Sequence, residues 1–161
     1  MPHVHQISIS QGGVPKLPIP RARITTNGVE GDVQANREHH GGPERAVCLF
    51  ALSIIDDLRA QGHPIVPGSA GENLTLADIT CEQWGSVQPG ARLKFSGGVE
   101  LEIASYCQPC SKIRESFREG QILLIKQAVN PGRSRVYARV ITEGAVATGE
   151  SVEFQPGAPV G

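Results

Sequence analysis

The chain has 161 residues, enough for a domain with a sizeable core, and its 15 Lys and Arg against 16 Asp and Glu leave a formal charge of −1. Charged residues at 19% and aromatics at 4% give neither the basic field nor the stacking platforms of a nucleic-acid binder. No apolar run approaches a membrane span, and four cysteines are too few for a disulfide scaffold.

Met1 to Arg23 lacks a basic stretch followed by an apolar core, so no secretion signal is expected, and a reducing cytoplasm with free thiols is the expected setting. Nineteen glycines and twelve prolines, scattered between apolar runs, predict a turn-rich β fold. Ile7 and Ile9 alternate with Ser8 and Ser10 as a first strand. Gly12, Gly13 and the prolines at 15, 18 and 20 break the pattern, and Arg21 to Thr25 resumes it. Arg45 to Phe50 is apolar enough for a buried strand. Ser53 to Gln61 predicts a helix, because Ile54, Ile55 and Leu58 form one stripe and Gly62 supplies a stop.

Leu93 and Phe95 alternate with charged neighbours, Gly97 and Gly98 make a turn, and Val99, Leu101 and Ile103 alternate again, which predicts a hairpin. Pro109 to Glu119, closed by Gly120, predicts a second helix, and Gln121 to Val129 a shorter helical run. Strands are expected over Arg135 to Thr142 and Ser151 to Phe154, with a loose tail from Gln155 to Gly161. There is no internal repeat or interdomain linker. This order predicts a single mostly-β domain over residues 1–161, barrel-like or sandwich-like, with a few covering helices.

The stretch from Ser105 to Arg114 concentrates the chemistry. It reads as a strand ending in Cys107-Gln108-Pro109-Cys110, with Pro109 in the first turn of a helix. That would set Cys110 among free N–H groups at the positive end of the helix dipole, close to Lys112 and Arg114, and favour thiolate. A thiolate can accept sulfur, attack an electrophile or bind a soft metal. Cys110 also shares a stripe with Ile113 and Phe117, so a buried apolar role is the competing reading. Cys48, inside an apolar strand, reads as plain core.

Three further segments are candidates. His39 and His40, with Gly41, Gly42, Glu44 and Arg45, can carry protons or bind metal on a backbone that admits close approach, or form a surface turn. Pro67 to Leu74 is a glycine-rich loop, fit for an anion-binding concavity beside Glu72 and Asn73, although it matches no phosphate-loop or dinucleotide motif. On the strand after Asn130, Arg135, Tyr137 and Arg139 point one way and, with Arg133, make a cationic patch suited to anions, or a solvated face. A zinc site would need Cys107 and Cys110 to be joined by His39 or His40.

Taken together, Gly28-Val29-Glu30-Gly31-Asp32, His40 to Val47, Pro67-Gly68 with Gly71 to Thr75, and Pro109-Cys110 resemble, in that order, the MOSC domain, the C-terminal domain of molybdenum-cofactor sulfurases. The resemblance runs from about Val4 to Phe154 and is to a free-standing bacterial-type member. It implies a mostly antiparallel β-barrel similar to the barrel domain of pyruvate kinase, with Cys110 as the reactive residue. Two roles are implied: carrying sulfur as a persulfide to the molybdenum cofactor, or ligating molybdenum in a protein that reduces N-hydroxylated compounds.

The anionic molybdopterin would then meet Arg133, Arg135 and Arg139 and the loop residues Gly71, Glu72 and Asn73, with His40 and Arg45 nearby. A cysteine desulfurase, or a separate flavin or iron–sulfur electron donor, is the implied partner, and no pyridoxal phosphate site is expected in this chain. Many relatives carry Arg or Thr where this chain has Cys107, a difference that raises a sulfur-relay or redox role for Cys107. The alternatives are a non-catalytic module that binds the cofactor or another small anion, and a zinc-stabilised domain. Substrate and oligomeric state are not set by the sequence.

Overall fold

A computed structural model describes residues 1–33 and 42–157. Its frame is an eight-stranded sheet in the order β11-β7-β8-β9-β5-β6-β1-β2, with a three-stranded sheet, β10-β3-β4, beside it. The strands are β1 (His3–Ile9), β2 (Leu17–Ile19), β3 (Arg21–Thr25), β4 (Gly28–Val29), β5 (Val47–Ala51), β6 (Leu74–Ala77), β7 (Arg92–Phe95), β8 (Glu100–Tyr106), β9 (Val136–Thr142), β10 (Gly144–Ala147) and β11 (Val152–Gln155).

The large sheet curls until its ends approach each other. His3 bridges Ser151, and Val4 exchanges backbone hydrogen bonds with Glu150 (2.9 Å) and Gly149 (2.8 Å). These contacts do not extend into a full ladder, so the architecture is mostly β and barrel-like, but the barrel is not closed. Its interior is packed by side chains such as Ile7, Leu49, Leu74, Leu93 and Leu101, all essentially inaccessible to solvent. No described helix is long and apolar enough to cross a membrane.

Every ladder in the large sheet is antiparallel except β5 with β6. A parallel pair needs a crossover connection. Here the crossover holds helix α1 (Leu52–Ala60), whose Ile54, Ile55 and Leu58 are buried as the stripe predicts, followed by the glycine-rich loop. The crossover therefore brings residues 67–73 back beside β5.

The hairpin of β7 and β8 forms as expected. A β-bulge between Ile103 and Ser105 alters its outcome. Ile103 pairs with Ala138 and faces the core, whereas Ser105 pairs with Tyr137, one position along β9 and on the other face. Cys107 N–H continues the ladder to Arg135 O at 2.9 Å. The end of β8 thus turns Cys107 away from the core formed by Leu101 and Ile103.

Several expectations need correction. The segment read as an α-helix from Pro109 to Glu119 is a six-residue 3-10 helix, Ser111–Ser116, followed by Arg118–Gly120. Phe117 is buried and adopts extended backbone (φ −124°, ψ 136°), which interrupts any longer helix. The run after Gln121 is likewise a short 3-10 turn, Ile122–Ile125. Periodicity also missed β2, β4, β6, β10 and the short helix α2 (Cys81–Trp84), whose Thr80 and Gln83 form a capping box.

Candidate functional site

A cavity of about 80 Å³ opens beside the end of β8. Its walls include Val14, Lys16, Cys48, Ala70, Gly71, Asn73, Cys107, Cys110, Ile113, Arg135 and Tyr137, and it reaches the surface beside the exposed Val33, Gln108 and Lys112.

The sheet supplies one wall. Cys48 on β5 pairs directly with Tyr137 on β9, which pairs on its other side with Ser105 on β8. Cross-strand partners share a face, and the bulge brings Cys107 onto the same face. Cys48, Cys107 and Tyr137 accordingly form a buried cluster of their own, separate from the main core. All four cysteines of the chain are free.

Hydrogen bonding to Cys48 holds the Cys107 thiol below its ordinary pKa. The charge of Arg135, a hydrogen bond with Tyr137 and the charge of Arg45 act in the same direction, and burial opposes them. Cys48 moves the opposite way: its hydrogen bond to Cys107 and its burial push the pKa up. Cys107 Sγ also lies 3.9 Å from Gln108 O. The hydroxyl of Tyr137 is held protonated, chiefly by burial, and the Arg45 guanidinium lies 5.6 Å from the centre of its ring.

Arg135 is only 5% exposed. Its Nη1 donates to Ala70 O at 2.7 Å, while its Nε has no hydrogen-bond partner among the described residues. A buried guanidinium N–H without an acceptor is costly unless a ligand supplies one. Behind it, Glu72 is fully buried, and desolvation pushes its pKa up to about 7, against the opposing pull of the Gly68 N–H, Arg135 and Thr75.

The glycine-rich loop is tied internally. Glu72 accepts from Gly68 N–H (3.1 Å) and from the Thr75 hydroxyl (3.3 Å), and Gly71 N–H donates to Gly68 O (3.1 Å). The Gly68 and Gly71 amides are therefore occupied by the loop itself. Gly71 has φ +88°, and a Cβ would sit 3.2 Å from Val14 and 4.0 Å from Arg135 Nη1, so a side chain would crowd the cavity wall.

Asn73 is a brace. Its Oδ1 accepts from Cys48 N–H, and its Nδ2 donates to Ser8 O (3.2 Å) and Asp32 Oδ2 (2.9 Å). Asp32 also accepts from Lys16 Nζ at 2.5 Å, an ion pair buried on both sides.

The predicted arginine patch is divided. Arg135 alone faces the cavity, whereas Arg133 pairs with Asp57 on α1. Arg139 is taken up by Glu44 (2.7 Å) and Glu102 (2.5 Å). Cys110 is half-buried and lines the cavity, with extended backbone (φ −133°, ψ 168°) just ahead of the 3-10 helix. The α-helical N-terminus expected around it is absent. His39, His40 and Gly41 lie outside the described residues, and among the described ones no group of three His, Cys, Asp or Glu could hold a metal ion.

Sequence reasoning missed Cys48, Lys16 and Asp32. Cys48 sits in a run so apolar, Ala46 to Phe50, that neither face could be distinguished from the other. The spacing of Asp32 from Asn73 offers no local pattern at all.

Comparison with known proteins places this geometry. Residues 36–153 match the family model of the MOSC domain. The chain is similar to YflK of Bacillus subtilis strain 168, 31% identical over 88% of this chain and 62% of the relative. It is also similar to YiiM of Escherichia coli K12, 28% identical over 81% of this chain and 58% of the relative, so it spans about three fifths of the length of both. Among solved structures, the YUAD protein of Bacillus subtilis superposes with a TM-score of 0.78 at 16% identity, over 98% of each chain. YiiM of Geobacillus stearothermophilus superposes with a TM-score of 0.70 at 21% identity, over 96% of this chain and 75% of that one. With the match covering most of its length, the chain belongs to the MOSC domain family, which is related to the C-terminal domain of molybdenum-cofactor sulfurases.

Proposed function

We propose that this protein handles the molybdenum cofactor, with Cys110 as the sulfur that either carries sulfur to molybdenum or ligates it. The observation that carries the reading is the position of Cys110 on a cavity whose buried cation, Arg135, has an Nε–H without a partner among the described residues. The residues fit the group: thiolate is a soft donor suited to the metal, and a guanidinium N–H suits an anionic oxygen. When bound, the cofactor supplies redox chemistry that no side chain provides.

The chain's own part is to bind and orient. Arg135 brings a buried cation to the cavity wall, and the exposed Lys112 adds positive charge at the mouth. Gly71 leaves room beside Val14, and the Lys16–Asp32–Asn73 network fixes the strand bearing Cys48. A desulfurase serves as partner in the sulfur-carrying form, and a flavin or iron–sulfur donor in the metal form, which would reduce N-hydroxylated compounds.

Production in a host that makes molybdenum cofactor, followed by measurement of bound metal and pterin, tests this. Stoichiometric molybdenum lost in Cys110→Ala identifies a metal ligand. A Cys110 persulfide delivered by a desulfurase identifies a carrier. Pterin retained by Cys110→Ala, with neither metal nor persulfide in the parent, identifies a non-catalytic binding module. Absence of metal, pterin and persulfide from the parent overturns the reading.

A further inference from the structure

We propose that Cys107 is a sulfur-acceptor site in its own right, which takes the outer sulfur of a small anionic sulfane donor held by Arg135. This goes beyond the molybdenum reading and does not depend on it.

The site is built rather than incidental. Cys107 is 2% exposed and lines the cavity, so its sulfur is approached from that opening. Cys48 and Tyr137, cross-strand partners, pack with it in one buried cluster. Arg135, on the same face and 95% buried, lines the cavity, and its Nε–H has no partner among the described residues. A nucleophilic sulfur and an unused anion donor therefore share a space of about 80 Å³, sized for an anion of a few heavy atoms. The lowered pKa of Cys107 agrees with this geometry.

A Cys48–Cys107 disulfide does not account for the pair. Both cysteines are free thiols in this structure. Cys107 is left to react with something that enters the cavity.

With thiosulfate as the donor, the step balances without an oxidant. The Cys107 thiolate attacks the outer sulfur, and a new S–S bond forms. The S–S bond of thiosulfate breaks, and its electron pair leaves with sulfite. Cys107 is left as an anionic persulfide, and no proton moves. The Arg135 guanidinium on the cavity wall balances the charge of the departing oxyanion. Cyanide then takes the outer sulfur as thiocyanate and restores the thiolate.

The test uses full-length protein from a host unable to make molybdenum cofactor, with thiosulfate as donor and cyanide as acceptor. The expected result is thiocyanate turnover, with a mass gain of one sulfur atom that fragment spectra assign to Cys107 rather than Cys110. Cys107→Ser should lower turnover about 100-fold or more. Arg135→Lys, which keeps the charge but loses Nε–H, should raise the KM for thiosulfate about tenfold with kcat little changed. Cys81→Ala, outside the cavity, should behave as the parent. Sulfur found on Cys110 alone, undiminished turnover in a folded Cys107→Ser protein, or no sulfur on any cysteine of the parent would overturn the proposal. Should Cys107→Ser not fold, the parent decides: thiosulfate must slow iodoacetamide alkylation of Cys107, and failure to do so is equally fatal.

Discussion

Asn73 is fastened to Cys48 twice: its Oδ1 accepts from Cys48 N–H at 3.0 Å, and its own N–H donates to Cys48 O at 2.8 Å. A loop residue thereby sets the position of a cavity sulfur on β5. Asn73→Ala leaves the buried Cys48 N–H without its side-chain acceptor and should cost about 2–4 kcal/mol, read as a lower urea midpoint with unchanged slope. Asn73→Asp should cost more, because it places a second carboxylate against Asp32, 2.9 Å from the present amide nitrogen.

Stability should fall as pH rises from about 4.5 to about 7, with Glu72 as one cause. Its folded pKa lies above the unfolded value, so in this window the folded state binds the extra proton. The contribution is complete below the unfolded pKa and lost through the folded one, and the 2.5-unit gap from 4.5 to 7 corresponds to about 3 kcal/mol. Glu72→Gln should flatten that part of the profile. A slope unchanged in Glu72→Gln denaturation curves between these pH values would assign it to other groups.

Lys16→Met should leave Asp32 buried without its cation, a loss of about 3–5 kcal/mol. Arg21, exposed on β3, provides the contrast, and Arg21→Met should change stability by less than about 0.5 kcal/mol. Thermal unfolding of the two variants under one buffer separates the buried pair from general charge effects.

Gly71→Ala should combine backbone strain at φ +88° with a contact 3.2 Å from Val14. The expected cost is about 1–3 kcal/mol, together with slower alkylation of Cys107 through the narrowed cavity. Gly149→Ala has a similar φ of +94° but nothing within 4 Å, so it reports the backbone component alone. Equal losses in the two variants would mean that the cavity wall yields.

The strands bearing strong alternation were legible: Arg21–Thr25 appears with the expected limits, and Leu93, Phe95, Leu101 and Ile103 point inward as their spacing demands. Short strands such as Leu74–Ala77 were not, because all four residues are buried and carry no two-residue rhythm. The helix expected at Cys110 failed for a related reason. A Pro at its start and an apolar stripe satisfy local rules, but burial of Phe117 in extended backbone is a tertiary demand. Of the site, Cys107, Cys110, Gly71, Asn73 and Arg135 were nameable by residue type and do line one cavity. The diversion of Arg133 and Arg139 to Asp57, Glu44 and Glu102 depends on partners distant in sequence.

The bulge in β8 separates two inheritances along one strand. Upstream of Ala104, residues answer to the interior; downstream, the two-residue interval from Ser105 to Cys107 answers to the cavity. Deleting Ala104 would restore regular pleating and still present Cys107 beside Arg135, whereas one residue inserted after Ser105 would turn the sulfur inward.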